Sequence, residues 1–252
     1  MAKLTFGRIA RAALAVSALL GAQLAMAEVV AGDYIKLNTS PNGNLAGAFS
    51  GKEVNATGTA LAGENSFYTF CLEYKEYFNT SDVLLVGNVL NETTNATSSF
   101  YTTNNPLSGG TTNSDPLSSA TEWLFTEFST NSTIRSSVLS SNGTANSFQR
   151  AIWYLEYELT GDALTAYNSD TVAQSWVSSA TTKANGGWID SGNQVRVLNL
   201  MRKDSNGQYS INAQDQIYFV SSPVPEVETY AMMLAGLGLM GAIARRRKAK
   251  AA

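Results

Sequence analysis

The chain has 252 residues, only 15% of them charged, and its formal net charge at pH 7 is −3. It has no basic patch and no nucleic-acid-binding motif, so we expect no nucleic-acid partner. The complete lack of histidine excludes Ser-His-Asp and Cys-His catalysis, and the single cysteine, Cys71, excludes an intrachain disulfide and a thiolate metal cluster. We therefore predict no bound metal and no cofactor.

The N-terminus, residues 1–27, has the pattern of a secretory signal peptide. Three basic residues among the first eleven precede an apolar stretch at residues 12–20, and residues 25–27 read Ala-Met-Ala, an A-x-A cleavage pattern. The alternative is a retained membrane helix, which the short apolar core disfavours. We predict that signal peptidase cleaves after Ala27.

The sequence from residue 33 to residue 90 is typical of β-strands. Residues 66–74 are the strongest strand, because they combine aromatic and other strand-forming residues. The segments 46–50 and 53–57 are predicted to pair around a turn at Gly51-Lys52. The predicted strands cover residues 33–38, 46–50, 53–57, 66–74 and 82–90. Residues 98–119, rich in Ser, Thr, Asn and Gly, predict a surface loop.

From about residue 115, apolar residues recur at the spacing typical of helices. Asp115 is the predicted N-cap of the first helix, with Pro116 at its first position. The strongest helix is predicted from Ala145 to Leu159, because apolar residues recur at i, i+4, i+7 and i+11 from Phe148, and Gly161 is expected to end it. The predicted helices cover residues 115–128, 134–139, 145–159 and 170–183.

The chain returns to strands after the helices. These are predicted at residues 194–201, 208–211 and 216–220, with a turn at residues 204–207. The order of strands, helices and strands predicts an α+β fold, in which a β-sheet or barrel core carries a helical insert. We expect one extracellular domain over residues 28–221, with its helical lobe at about residues 115–183.

The last part of the chain, residues 222–252, has the pattern of a sorting tail. A Pro-Glu pair precedes an apolar run that predicts a short membrane helix at about residues 228–244, and an arginine cluster follows on the expected cytoplasmic side. A simple tail anchor is the alternative. The residues that carry the pattern are Pro225, Glu226, Gly236, Gly238, Arg245, Arg246 and Arg247.

This tail resembles the PEP-CTERM sorting domain of exported proteins of Gram-negative bacteria. It departs from the Pro-Glu-Pro pattern at Val227. The resemblance implies processing by a membrane exosortase, usually in bacteria that make extracellular polysaccharide. The expected route is export, a temporary inner-membrane intermediate, and then the cell surface or the extracellular matrix of a biofilm. It says nothing about the chemistry of the domain that is delivered.

Cys71 and Gln149 are the candidate reactive residues. A lone cysteine is commonly a small buried apolar residue, but an exposed one in an exported protein oxidises or cross-links. Phe-Cys-Leu on a strand and Gln-x-Ala-Ile-Trp on a helix resemble the thioester domains of Gram-positive surface adhesins, although Phe148 stands where those domains usually have threonine. The resemblance implies that Cys71 and Gln149 join as an internal thioester, which then captures amines or hydroxyls on a target surface.

Three hypotheses for the function follow. The first is a covalent adhesin, which reacts once and is therefore not an enzyme. The second is a non-covalent structural or polysaccharide-binding matrix protein, in which Cys71 is a buried core residue. The third is a glycoside hydrolase that uses two carboxylates. The candidate carboxylates flank the two motifs and are Glu73, Glu76, Glu156 and Glu158.

Overall fold

The computed structural model describes residues 28–39, 47–62, 66–94 and 115–221. The predicted signal peptide, most of the predicted surface loop and the whole sorting tail, including the predicted membrane helix, lie outside these ranges. Within these four ranges, none of the helices has the length and apolar character needed to span a bilayer.

Six antiparallel strands close into a barrel, and two further short strands pair with each other beside it. The eight strands are β1 (Tyr34–Thr39), β2 (Phe49–Val54), β3 (Phe67–Cys71), β4 (Leu84–Leu90), β5 (Glu92–Thr93), β6 (Asp115–Pro116), β7 (Val195–Lys203) and β8 (Tyr209–Phe219). The order around the barrel is β1-β2-β3-β8-β7-β4. The predicted α+β class, with a barrel core and a helical insert, is confirmed.

The barrel interior is filled by side chains that alternate along the strands, since successive residues of a strand point to opposite faces. Ile35 and Leu37 of β1 are buried, and they pack with Leu84 and Val86 of β4 and Leu198 of β7. Cys71, the last residue of β3, belongs to the same interior cluster.

The predicted hairpin around Gly51-Lys52 is wrong, because β2 runs straight through both residues. Gly51 lies opposite Phe67 of β3, and the Phe67 ring covers it. A Cβ atom at Gly51 would lie 2.2 Å from Phe67 Cζ. Glycine at this position therefore makes room for a cross-strand aromatic ring and does not mark a turn.

Gly51→Ala is expected to lower the free energy of unfolding by about 1–3 kcal/mol, because the Phe67 ring must leave its place above β2. Urea denaturation measures the change. Gly87→Ala on β4 is the matched control, since its Cβ would lie no closer than 3.4 Å to any neighbour. Equal losses in the two variants would contradict the steric explanation.

Five helices follow β6 and cover one side of the barrel. They are α1 (Ser119–Thr130), α2 (Ser132–Val138), α3 (Asn142–Leu155), α4 (Gly161–Asn168) and α5 (Thr171–Asn185). Their apolar faces meet Phe70 of β3 and Leu72, which follows the strand. The Phe70 ring lies 5.2 Å from that of Phe128 and 5.0 Å from that of Phe148, between ring centroids. This aromatic cluster fixes α3 against β3.

Three predicted boundaries are wrong for local reasons. Asp115–Pro116 forms β6 against β5, so the N-cap of α1 is Ser118, whose Oγ accepts a hydrogen bond from the Thr121 N–H. Helix α3 ends at Leu155, ahead of Tyr157 with φ 62°, and Gly161 begins α4 instead of ending α3. The two strands predicted after residue 207 form the single strand β8.

Candidate functional site

The side-chain amide of Gln149 is held against the backbone of Cys71. The Cys71 N–H donates to Gln149 Oε1 at 2.8 Å, and Gln149 Nε2 donates to the Cys71 carbonyl oxygen at 2.7 Å. Gln149 is fully buried and Cys71 is 3% exposed. The two reciprocal bonds fix which end of the amide carries oxygen, because the reversed orientation would face donor with donor and acceptor with acceptor.

The Cys71 backbone is open to Gln149 because β2 has already left β3 at this point. The ladder between them ends where Phe49 pairs with Thr69, two residues before Cys71. Helix α3 approaches closely here, since a Cβ atom at Gly47 would lie 3.0 Å from Ala145 Cβ. The Gln149 amide thus takes the hydrogen-bonding place that the next residue of β2 would occupy in a continued ladder.

The Cys71 side chain lies in the buried interior of the barrel. Gln216, its pairing partner on β8, places Nε2 at 3.4 Å from the sulfur. Burial raises the pKa of Cys71 to about 12, against the lowering effect of the Gln216 hydrogen bond, and the nearby Glu73 charge raises it further. The thiol is therefore protonated at neutral pH and shielded from oxidants in solvent.

Glu73 is a second buried group beside Cys71. Its side chain is 1% exposed, and its carboxyl group lies beside that of Glu76. Burial raises the pKa of Glu73 far above its usual value, and the charges of Asp215 and Glu76 raise it further. The carboxyl group is therefore neutral at pH 7.

Asp215 accepts hydrogen bonds on both of its oxygens. The Leu200 N–H donates to Oδ1 at 2.9 Å and the Thr94 N–H donates to Oδ2 at 3.3 Å. Burial still raises its pKa well above the usual value. Asp215 therefore holds the backbone at Leu200 and Thr94.

An aromatic pair lies beside the Gln149 amide. Trp153 follows Gln149 by one helical turn and therefore lies on the same side of α3. The Tyr74 ring meets the Trp153 ring edge-on, with 5.0 Å between centroids, and Tyr74 is 37% exposed. The side-chain N–H of Trp153 is buried and has no hydrogen-bond partner among the described residues. This pair is the part of the site that reaches solvent.

Of the remaining carboxylates of the hydrolase hypothesis, Glu76 lies beside Glu73, and the other two accept backbone N–H groups. Glu158 Oε2 accepts the Tyr74 N–H at 3.0 Å, and Glu156 Oε1 accepts the Ser118 N–H at 3.2 Å. Burial raises the pKa of Glu156 to about 7. In the described ranges, no group of three or more cysteine and acidic residues is arranged to hold a metal ion.

A separate cleft of about 610 Å³ opens between α1, α5 and the segment that follows α3. Its lining combines apolar side chains with tyrosine rings and small polar side chains, and comprises Leu117, Ser118, Ser119, Ala120, Tyr154, Leu155, Tyr157, Val177, Thr181, Ala184 and Asn185. None of its lining residues carries a charge. A cleft of this composition suits a neutral ligand that has both apolar faces and hydroxyl groups.

In the comparisons with known proteins, a family match lies in the sorting tail. The model of the PEP-CTERM protein-sorting motif matches residues 223–248, a range that contains every predicted sorting residue from Pro225 to Arg247. The chain is therefore an exported protein of the exosortase-sorted class, which reaches the cell surface through the membrane. Searches of curated proteins and of solved structures found no match to the chain.

Proposed function

We propose that this exosortase-sorted surface protein forms an internal thioester between Cys71 Sγ and Gln149 Cδ and attaches covalently to its target through it. The observation that carries the proposal is the pair of hydrogen bonds, of 2.8 and 2.7 Å, between the Gln149 amide and the Cys71 backbone. These bonds join the acyl group to the residue that bears the only thiol in the sequence, 78 positions away.

The hydrogen bond from the Cys71 N–H supports acyl transfer at Gln149. It polarises the side-chain carbonyl, and it remains in place to stabilise the oxyanion that forms when the sulfur adds to Cδ. The S–C bond forms, the C–N bond to Nε2 breaks, and the thiol proton leaves with the nitrogen as ammonia. Burial then protects the activated acyl group from hydrolysis.

The second step is attachment to the target. A primary amine or hydroxyl of a surface molecule adds to Cδ, the C–S bond breaks, and the sulfur recovers a proton as the thiol. The product is an amide or an ester at Gln149. Since the acyl group is consumed, the protein reacts once and is not an enzyme.

Intact mass of the purified exported protein tests the proposal. We expect a mass short by one ammonia relative to the processed sequence. Treatment with methylamine should then increase this shortened mass by one molecule of methylamine. Cys71→Ala and Gln149→Ala are matched controls, and each is expected to show only the mass of its substitution. A wild-type protein with its full mass and a titratable thiol would overturn the proposal.

A non-covalent polysaccharide-binding role is the second candidate, and the cleft with Tyr154 and Tyr157 favours it. Extracellular polysaccharide is chemically compatible with this cleft, because sugar rings stack on aromatic side chains and their hydroxyls bond to side chains such as Asn185. The same mass measurement separates the two candidates. A protein that keeps its ammonia, yet is retained by immobilised polysaccharide from its host, would be a non-covalent matrix protein.

A further inference from the structure

Tyr157 adopts a backbone conformation that normally selects glycine. Its φ is 62°, and among the described residues only Asn193 shares a positive φ without being glycine. The chain turns here at the end of α3. The Glu158 N–H donates to the Trp153 carbonyl oxygen at 2.8 Å, and the Tyr157 N–H donates to that of Tyr154 at 3.1 Å. These two bonds form a Schellman cap, in which the left-handed residue is most often glycine because a Cβ atom is strained there.

The cap itself gives no reason for a tyrosine. Both of its hydrogen bonds are made by the backbone, so glycine at position 157 would make them without the strain. Strained residues of this kind concentrate at ligand-binding sites, where the side chain has a function that offsets the strain. Tyr157 lines the cleft between α1, α5 and the segment after α3, and it is only half-buried. The strained backbone therefore places an aromatic residue in the wall of a cleft.

A second tyrosine ring of the cleft is fixed by stacking. Tyr154 lines the same cleft and is 37% exposed. Tyr167 is 6% exposed and lies nearly parallel to Tyr154, with 3.8 Å between ring centroids and 15° between planes. Since one tyrosine of the cleft is placed by its backbone and the other by a buried neighbour, the wall is preorganised, which lowers the entropic cost of binding a ligand.

The polar groups of the cleft define the chemistry of the ligand. Thr181 and Asn185 are exposed, lie one helical turn apart on α5, and both line the cleft. A hydroxyl and an amide can donate to and accept from the hydroxyls of a ligand. None of the lining residues is charged, so a phosphate or carboxylate would have no cation there to pair with. Sugar rings fit this wall, because they combine apolar faces that stack on aromatic rings with hydroxyl edges.

We propose that the cleft binds an uncharged segment of polysaccharide and that Tyr157 is the residue on which a sugar ring stacks. This inference rests on the polysaccharide-binding role and does not require the thioester. The left-handed backbone positions Tyr157, while Thr181 and Asn185 bond to hydroxyls at the edge of the sugar. The binding is reversible, so the cleft holds the protein on the polymer whether or not a covalent bond follows.

Affinity electrophoresis of the exported protein tests the inference. The parent protein and all variants carry Cys71→Ala, which prevents covalent capture. The gels contain dextran, hydroxyethylcellulose, galactomannan or, as the acidic comparison, alginate. We expect at least one neutral gel to slow the parent and alginate not to slow it. In that neutral gel, Tyr157→Gly should bind about 10-fold more weakly because the stacking ring is lost. Its melting temperature should equal or exceed that of the parent, because glycine relieves the strain.

Asn193→Gly is the matched control. Asn193 also has a positive φ, of 52°, is exposed and lies outside the residues that line the cleft. The substitution should relieve strain in the same way and leave binding unchanged. Tyr157→Phe keeps the ring and should bind nearly as well as the parent. Tyr157→Asn also tolerates a left-handed backbone, so it repeats the loss of the ring if the glycine variant does not fold.

Thermal unfolding shows whether each variant is folded. A parent that no neutral gel slows would overturn the polysaccharide-binding role, and with it the role of Tyr157. Binding by Tyr157→Gly equal to that of the parent is what a purely structural tyrosine predicts, and it would overturn the inference alone, as would an equal loss in Asn193→Gly. A folded Tyr157→Gly that binds more weakly, beside an unchanged Asn193→Gly, supports both.

Discussion

Gln149→Leu is expected to lower the free energy of unfolding by about 2–6 kcal/mol when it is made in a Cys71→Ala background. Leucine has a similar volume but leaves the N–H and the carbonyl oxygen of residue 71 buried without partners. The background substitution removes the thiol and keeps the backbone, so the measurement isolates the two hydrogen bonds from any covalent link. Urea denaturation followed by circular dichroism gives the value.

Gln149→Glu in the same background is the matched control. A protonated glutamate can both accept from the backbone N–H and donate to the carbonyl oxygen, as the amide does. We therefore expect it to retain most of the stability at pH 5 and to lose it as the pH rises. A loss below about 1 kcal/mol for Gln149→Leu would show that the amide does not support this end of β3.

The second large effect is a fall in stability between pH 5 and pH 8. The pKa values of Glu73 and Asp215 are raised in the folded state, chiefly by burial. A group of this kind stabilises the fold most fully below its unfolded pKa, and that stability is lost as the pH rises toward the folded pKa. Glu73, whose folded pKa is about 11, gives a slope of up to about 1.4 kcal/mol per pH unit over this range, and Asp215 acts in the same direction.

Glu73→Gln separates this effect from the rest of the protein. Its neutral amide does not titrate, so the variant should show a shallower dependence and exceed the wild type in stability at pH 8. The sign is opposite for Asp170, whose pKa is lowered by its hydrogen bonds, and its contribution is lost only in stronger acid. A wild-type stability that is constant from pH 5 to pH 8 would show that Glu73 is ionised and hydrated in the folded protein.

The fold class was predictable because the spacing of apolar residues along the sequence distinguishes strands from helices. Strands β1, β3, β4 and β7 and helices α1, α2, α3 and α5 all overlap predicted segments, and the change of period after residue 115 marks the helical insert. Helix α5 begins one residue after its predicted start, because Asp170 is its N-cap and accepts hydrogen bonds from the N–H groups of Val172 and Ala173.

The errors arose where a residue with a strong local preference has a tertiary role. Gly51 signals a turn in the sequence, yet it lies within β2 because Phe67 needs the space above it. Asp115 is a good N-cap in isolation, but it pairs with Thr93 across a gap of more than twenty residues. Neither contact has a signature in the local sequence, and the short helix α4 was missed because Gly161 suggested an end.

The candidate site was only partly predictable. The motifs around Cys71 and Gln149 predicted that a strand and a helix would bring these two residues together, and the structure places them in contact. The contact is through the Cys71 backbone, because β2 leaves β3 just before it. The burial of Glu73 beside Asp215 of β8 depends on tertiary packing and could not be predicted from the sequence.

The place of β8 in the barrel determines how a tethered molecule would bear mechanical load. This strand ends at Phe219, just before the sorting tail, and it is hydrogen-bonded to β3 on one side and β7 on the other. Tension applied at the C-terminal end of the domain therefore pulls β8 along its own axis, in shear, against two ladders at once. Cys71 pairs with Gln216 near that end of β8, and Gln149, to which a captured target would be bonded, is hydrogen-bonded to the Cys71 backbone, so force would pass from the tether through β8 and the end of β3 into α3.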